Sequence, residues 1–133
     1  IDATFDADIP TIGTVAAVSS GNYIPGIAKN QAFFSLGWKP ENGFNAGLDV
    51  RYSDRIFVND INSEVAPSYT VAGANVGYNW NVKDLSIKTF ARVDNLFDKD
   101  YSGSVIVNES NGRFYEPAEG RNWSAGLSVT KQF

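Results

Sequence analysis

The fold class this sequence predicts is all-β, an antiparallel up-and-down meander of about six strands, and three observations carry the prediction. Apolar and polar residues alternate with period two through six segments, long and short connections alternate between those segments, and no stretch shows helical periodicity. Period two sends successive side chains to opposite faces, so each strand presents one apolar and one polar side.

The first segment, IDATFDADI at 1–9, sets Ile1, Ala3, Phe5, Ala7 and Ile9 against Asp2, Thr4, Asp6 and Asp8. Residues 10–30, punctuated by Pro10, Gly13, Gly21, Pro25 and Gly26, have no sustained period and read as a long loop. The second strand, QAFFSLGWK at 31–39, places Ala32, Phe34, Leu36 and Trp38 on one face. A tight turn, PENG at 40–43, follows: Pro40 presets one dihedral and Asn42-Gly43 tolerate positive φ. The third strand, FNAGLDVRYS at 44–53, is expected to run on into DRIFV before the polar stretch NDINSEVAPS. TVAGANVGYNW at 70–80 is the fourth strand, NVKD a second short turn, and LSIKTFARVD at 85–94 the fifth. After a long connection from Asn95 to about Arg121, the final strand runs to Phe133. Long and short links in strict alternation put every long loop at one end of a meander and both short turns at the other.

Composition narrows the chemistry. The chain has 133 residues, 43% hydrophobic and 20% charged, the profile of one foldable domain. A net charge of -4 without a Lys/Arg cluster excludes a nucleic-acid partner. With neither cysteine nor histidine, thiolate and imidazole metal sites and the usual general base are absent, so no cofactor, metal site or catalytic residue is predicted and the chain does not read as an enzyme. Asp98 and Asp100 have no facing partner that would make them a glycosidase pair. Asp2, Asp6 and Asp8 string out along a strand instead of converging as calcium requires, and are expected to meet Arg or Lys. Asp49, Arg51, Lys88, Arg92 and Asp94 share the polar face and are expected to form ion pairs there.

The two faces imply two media. Gly37, Gly47, Gly73, Gly77 and Gly126, with Ser35, Ser86, Ser128, Asn45, Asn75 and Asn79, give a crowded face of small residues, unlike the Lys- and Glu-rich side of a soluble sandwich. On the apolar face Trp38, Phe44, Tyr78, Trp80 and Phe133 fall at the short-turn end, Tyr52 and Trp123 towards the other, and aliphatics between them. Aromatic girdles around an aliphatic band are the pattern of a transmembrane β-barrel. Lys131 interrupts the band close enough to the rim to snorkel. No apolar run approaches the roughly 20 residues of a membrane-spanning helix. Because the smallest membrane barrels use about eight strands, the chain is expected to be part of a larger barrel, with a truncated start. The alternative is a soluble β-sheet module binding carbohydrate or lipid, with Leu48, Val76, Ile87 and Leu127 packed into a closed interior.

ARVDNLFDKDY at 91–101 resembles the penultimate-strand signature of TonB-dependent outer-membrane receptors, and GRFYEPAEGRNWSAGLSVTKQF at 112–133 is similar to their closing segment. NYIPGIAKNQAF at 22–33 is similar to a loop-to-strand entry of the same barrels. The resemblance implies a barrel of about 22 strands around a plug, of which residues 1–133 are the C-terminal portion, with plug and TonB box absent from this chain. It also implies a cell-outer-membrane location and uptake of a metal chelate, such as a ferric siderophore. The partners implied are that chelate, TonB through the missing plug, outer-membrane lipid, and the barrel-assembly machinery acting on Phe133. In such a bacterial membrane the sequons at Asn108 and Asn122 carry no weight. Chelate contacts are expected from the long loops, where Tyr23, Arg55, Tyr101, Arg113, Phe114 and Tyr115 offer aromatic and cationic groups.

Overall fold

The computed structural model describes residues 1–131. In chain order the strands are β1 (Gln31–Trp38), β2 (Phe44–Ser53), β3 (Ile56–Phe57), β4 (Val65–Ala66), β5 (Tyr69–Val82), β6 (Leu85–Asp94), β7 (Ser102–Val105), β8 (Tyr115–Pro117) and β9 (Asn122–Lys131). No helix occurs among the described residues. Phe133, expected to close the last strand and to engage the assembly machinery, lies outside the described residues.

Two compact units divide the chain. One holds Phe33–Arg51, Thr70–Lys99 and the segment from Glu119 onward, and its core is a five-stranded sheet in the order β1-β2-β5-β6-β9. β5 and β6 pair antiparallel from Ala74↔Val93 to Val82↔Leu85, and β6 and β9 from Leu85↔Lys131 to Asp94↔Asn122. The register sets Tyr78, Thr89 and Leu127 in one cross-strand row, and Gly77, Phe90 and Gly126 in the adjacent row on the opposite face.

Much of the apolar face of this sheet is exposed, although Ala72 and Val93, at its long-loop end, are buried. Leu127 is 68% exposed, Trp123 72% and Val76 48%, and Leu48 is exposed with them. A soluble domain would bury these side chains, since each fully buried aliphatic contributes about 1.5–3 kcal/mol. At the short-turn end Trp38 meets Phe44 edge-on at 5.4 Å and Tyr78 meets Trp80 at 5.5 Å, so the girdle aromatics cluster in pairs.

The small residues of the other face are explained by what crosses them. An added Cβ on Gly47 would lie 2.6 Å from the Asn75 amide, and one on Gly77 2.6 Å from Asn45. Above Gly73 lie Asp49 and Arg92, while the Phe90 ring covers Gly126, its cross-strand partner. Arg92 bridges Asp49 at 3.1 Å and Asp94 at 2.6 Å, so three of the five charges expected to pair on this face do so.

The other unit comprises Ile1–Ala32, Tyr52–Tyr69 and Asp100–Ala118, and contains the small sheets β3-β4 and β7-β8. Here the sequence reading needs correction. Residues 1–9 make no strand of the main sheet; they are tied back to the following loop by the bridges Thr4↔Tyr23 and Ile9↔Val18. Period two marks a chain that lies between different surroundings but not which partner it finds, and here the partner is local. DRIFV is likewise not an extension of β2, because Asp54-Arg55 break the strand and Ile56–Phe57 pair with Val65–Ala66 instead. The small interior of this unit centres on Val58, which is 0% exposed, with Val18, Ala28 and Ala66 also buried.

Candidate functional site

Asparagine side chains hold the loop unit in shape. The segment 59–62 turns back on itself, with Asn62 at a positive φ of 56°. The Asn62 amide oxygen accepts the Tyr23 N–H at 2.7 Å and its Nδ2 donates to the Tyr23 carbonyl at 2.8 Å, which pins Tyr23 as a strand partner would. Asn108 clamps the same turn, accepting from the Asp60 N–H at 3.1 Å and donating to its carboxylate at 2.9 Å. Gly26 N–H donates to the Phe57 carbonyl at 2.8 Å, so the loop carrying Tyr23 is fastened to the strand carrying Phe57.

These ties build a cleft of about 400 Å³ lined by Tyr23, Ile27, Lys29, Asp54, Arg55 and Phe57. Tyr23 and Phe57 stack with centroids 5.5 Å apart and planes only 7° from parallel. The Lys29 ammonium lies over the Tyr23 ring and the Arg55 guanidinium over Phe57, each 5.5 Å from the centroid and within cation–π range. Lys29 also donates to Asp2 at 3.2 Å and to the Tyr23 hydroxyl at 3.4 Å, contacts that raise its pKa above the usual lysine value. Asp54 is pushed the opposite way, below the usual carboxylate value, first by Asn30 Nδ2 at 3.1 Å and then by the Arg55 N–H at 2.9 Å.

Of the six loop residues expected to face a ligand, Tyr23 and Arg55 therefore meet in one cleft. Phe114 lines a separate cleft of about 490 Å³ with Val15, Val18, Ile61 and Asn108 among its walls. Tyr115 touches the Phe114 ring and donates to Glu64 at 3.4 Å, and burial followed by the Glu64 charge raises its pKa. Arg113 gives its backbone N–H to Glu109 at 2.9 Å, the leading cause of the lowered Glu109 pKa. Tyr101 packs on Tyr69 at 4.3 Å. The sequence reading missed Lys29 and Phe57; the signal for Phe57 was its spacing of two from Arg55 in the run DRIFV.

Among the described residues no group of three or more acidic side chains could hold a metal ion. Asp98, weighed as one of a carboxylate pair, is a structural residue: it accepts the Arg121 N–H at 2.8 Å and faces the Arg121 guanidinium at 3.9 Å.

Comparison with known proteins agrees with this architecture. Residues 2–96 match the family model for the TonB dependent receptor-like β-barrel. Among solved structures, BauA, the ferric preacinetobactin receptor from Acinetobacter baumannii, superposes with a TM-score of 0.71 at 18% identity, covering 83% of this chain and 16% of that one. The ferric citrate transporter FecA in its unliganded form gives 0.70 at 21%, covering 84% and 18%. The siderophore receptor PiuA from Acinetobacter baumannii gives 0.70 at 25%, covering 90% and 16%. The chain thus spans 16% to 18% of the length of these structures. With a family model matched over most of its length and an open antiparallel meander whose apolar face is largely exposed, the chain belongs to the TonB-dependent receptor β-barrel family, a family of receptors.

Proposed function

We propose that this chain supplies the last barrel strands and outer loops of an outer-membrane, TonB-dependent uptake receptor for a metal chelate of the ferric siderophore type. The plug and the TonB-contacting segment belong, in this reading, to the remainder of the receptor. The observation that carries it is the largely exposed apolar face in a chain of this family: Val76, Trp123 and Leu127 suit a hydrocarbon surrounding. β2, β6 and β9 are each 10 residues long, the length that crosses a bilayer when tilted. The short turns then face the periplasm and the long connections the outside. Tyr23 and Arg55 are the ligand-facing candidates that share a cleft, and Phe114 a further one.

The test is uptake by the intact receptor, expressed in a strain lacking other ferric-chelate receptors, with and without TonB. Saturable accumulation of labelled iron that disappears without TonB is expected. Accumulation indifferent to TonB, or none for any chelate, would remove the proposal.

A further inference from the structure

Two asparagines of the chain stand directly before glycine, Asn42 before Gly43 and Asn111 before Gly112. In such a pair the glycine nitrogen can reach the asparagine side-chain carbonyl carbon, because glycine has no Cβ to hinder the approach or to restrict its backbone. The structure holds the two pairs differently. Asn42 is exposed in the turn between β1 and β2. Its Oδ1 accepts the Phe44 N–H at 3.1 Å, an Asx turn that folds the side chain back over the Gly43 peptide. The same donor is aimed at the oxygen on which charge develops when a nucleophile adds to the side-chain carbonyl carbon. Gly43 is fastened by its carbonyl, which accepts the Asn79 N–H at 2.8 Å, and not through its nitrogen.

Asn111 is also exposed, but each of its reacting groups is held by Glu109. Its Nδ2, the group that would leave, donates to Glu109 Oε1 at 2.9 Å, and its backbone N–H donates to Oε2 at 2.7 Å. The Gly112 N–H, the would-be nucleophile, donates to the Glu109 carbonyl at 3.4 Å. The clasp persists at neutral pH, because the Arg113 N–H and then the Asn111 N–H hold the Glu109 carboxyl below its usual pKa.

We propose that Asn42 is a site of non-enzymatic deamidation in the folded protein and that the Glu109 clasp protects Asn111 from the same reaction. The Gly43 nitrogen bonds to Asn42 Cγ, the Cγ–Nδ2 bond breaks, and the proton lost by the Gly43 nitrogen leaves with the amino group as ammonia. Water then opens the resulting cyclic imide at either carbonyl, giving aspartate or isoaspartate at 42; nothing is oxidised or reduced, and water is the only co-reactant. The isoaspartyl product carries one more carbon in the backbone of a turn that has no slack, since even an added Cβ on Gly43 would strike the Asn79 carbonyl. Modification therefore works against the bond that ties the β1–β2 turn to β5, and it adds a negative charge at that end of the sheet.

The experiment incubates the purified intact receptor, folded in detergent at neutral pH, and follows the tryptic peptides 30–51 and 100–113 by mass spectrometry; Lys39 is followed by Pro40 and resists cleavage. Fragment spectra locate each change at 42 or 111, and an isoaspartyl methyltransferase scores the isoaspartate. Modification at 42 is expected to run at least about fivefold faster than at 111 in the folded receptor, and the two rates are expected to converge in urea, where neither the Asx turn nor the clasp survives. Glu109→Ala is expected to speed modification at 111 by at least about threefold and to leave 42 unchanged. Heat-modifiable gel migration reports that this variant is folded; should it not fold, the comparison between folded and urea-unfolded receptor decides alone. A rate at 42 no faster than at 111 in the folded receptor, a difference that persists in urea, or a folded Glu109→Ala variant with 111 still protected overturns the proposal. None of these outcomes bears on the uptake reading.

Discussion

At Asn95 a left-handed backbone and a buried amide coincide. Its φ is 50° and it is 7% exposed. The side chain accepts the Lys99 N–H at 2.8 Å and donates to the carbonyls of Lys99 at 2.9 Å and Glu119 at 3.3 Å, joining the exit of β6 to the approach of β9. Asparagine suits both demands, since it tolerates positive φ and carries donor and acceptor on one short arm. Asn95→Gly keeps the backbone and loses the bonds, at a cost of about 1–3 kcal/mol. Asn95→Ala should cost about 1 kcal/mol more for its Cβ in the left-handed region, a difference read from urea unfolding of the intact receptor; equal losses would contradict the assignment. Gly43 poses a steric problem of the same kind, because at φ 86° an added Cβ would strike the Asn79 carbonyl, and Gly43→Ala is expected to lower the yield of folded barrel. The cleft charges make a third residue-scale prediction. The raised Lys29 pKa gives a contribution present below the unfolded lysine value and lost as pH rises through the folded one. The lowered Asp54 pKa gives one present above the unfolded carboxylate value and lost as pH falls through the folded one. Both persist between about pH 5 and about pH 9, so the loss of unfolding free energy caused by Lys29→Met or by Asp54→Asn should not vary with pH in that window, and a loss that vanishes with a midpoint near neutrality would contradict the cleft as drawn.

The strands divide into those legible in sequence and those that were not. β6 has the limits that alternation predicts, β1 and β5 differ only at their ends, β2 begins where predicted but stops at Ser53 instead of running on into DRIFV, and β9 follows the prediction over the described residues. Each lies between a lipid-suited and a polar side along its whole length, so burial imposes period two on about ten consecutive residues. β3 and β4 are two residues each, too short for any period to register. Residues 1–9 are the reverse case, a clear alternation that finds only isolated bridges to the following loop, because one segment's pattern does not encode which partner it takes. The cleft was half legible: Tyr23 and Arg55 stood out as an aromatic and a cation in loops, whereas their meeting depends on Asn62 and Gly26 bonds across distant segments. Face identity in β9 can be tested directly. Leu127→Lys should destabilise the barrel in bilayers by about 2–4 kcal/mol, and Ser128→Lys, one residue along, by under about 1 kcal/mol. Comparable losses at both positions would mean that the two sides of β9 do not differ in surroundings.

At the scale of the whole molecule the main sheet is unfinished in the plane of its hydrogen bonds. β1 and β9 are its outer strands, and each leaves a row of backbone groups facing outward from the sheet. In hydrocarbon every unpaired backbone group costs several kcal/mol, on the order of the whole stability of a small domain for a few of them. On the proposed function, further strands of the receptor would pair with these edges; the chain spans 16% to 18% of the length of the structures it resembles. Completion has a local signature. Spin labels placed singly at 123–130 of a cysteine-free intact receptor in bilayers should alternate: 123, 125, 127 and 129 relaxed by oxygen dissolved in lipid, 124, 126, 128 and 130 by a water-soluble nickel chelate or by neither. The expected phase follows from the register, because Trp123, Leu127 and Val129 lie in rows with Val93, Thr89 and Ile87, while Ser124 and Gly126 lie in rows with Arg92 and Phe90. Oxygen accessibility with the opposite phase would place Arg92, Asp49 and Asp94 against lipid, where their pairing does not offset the desolvation of three charges. No alternation at all would mean that β9 has the same medium on both sides, and the membrane orientation of the sheet would have to be abandoned.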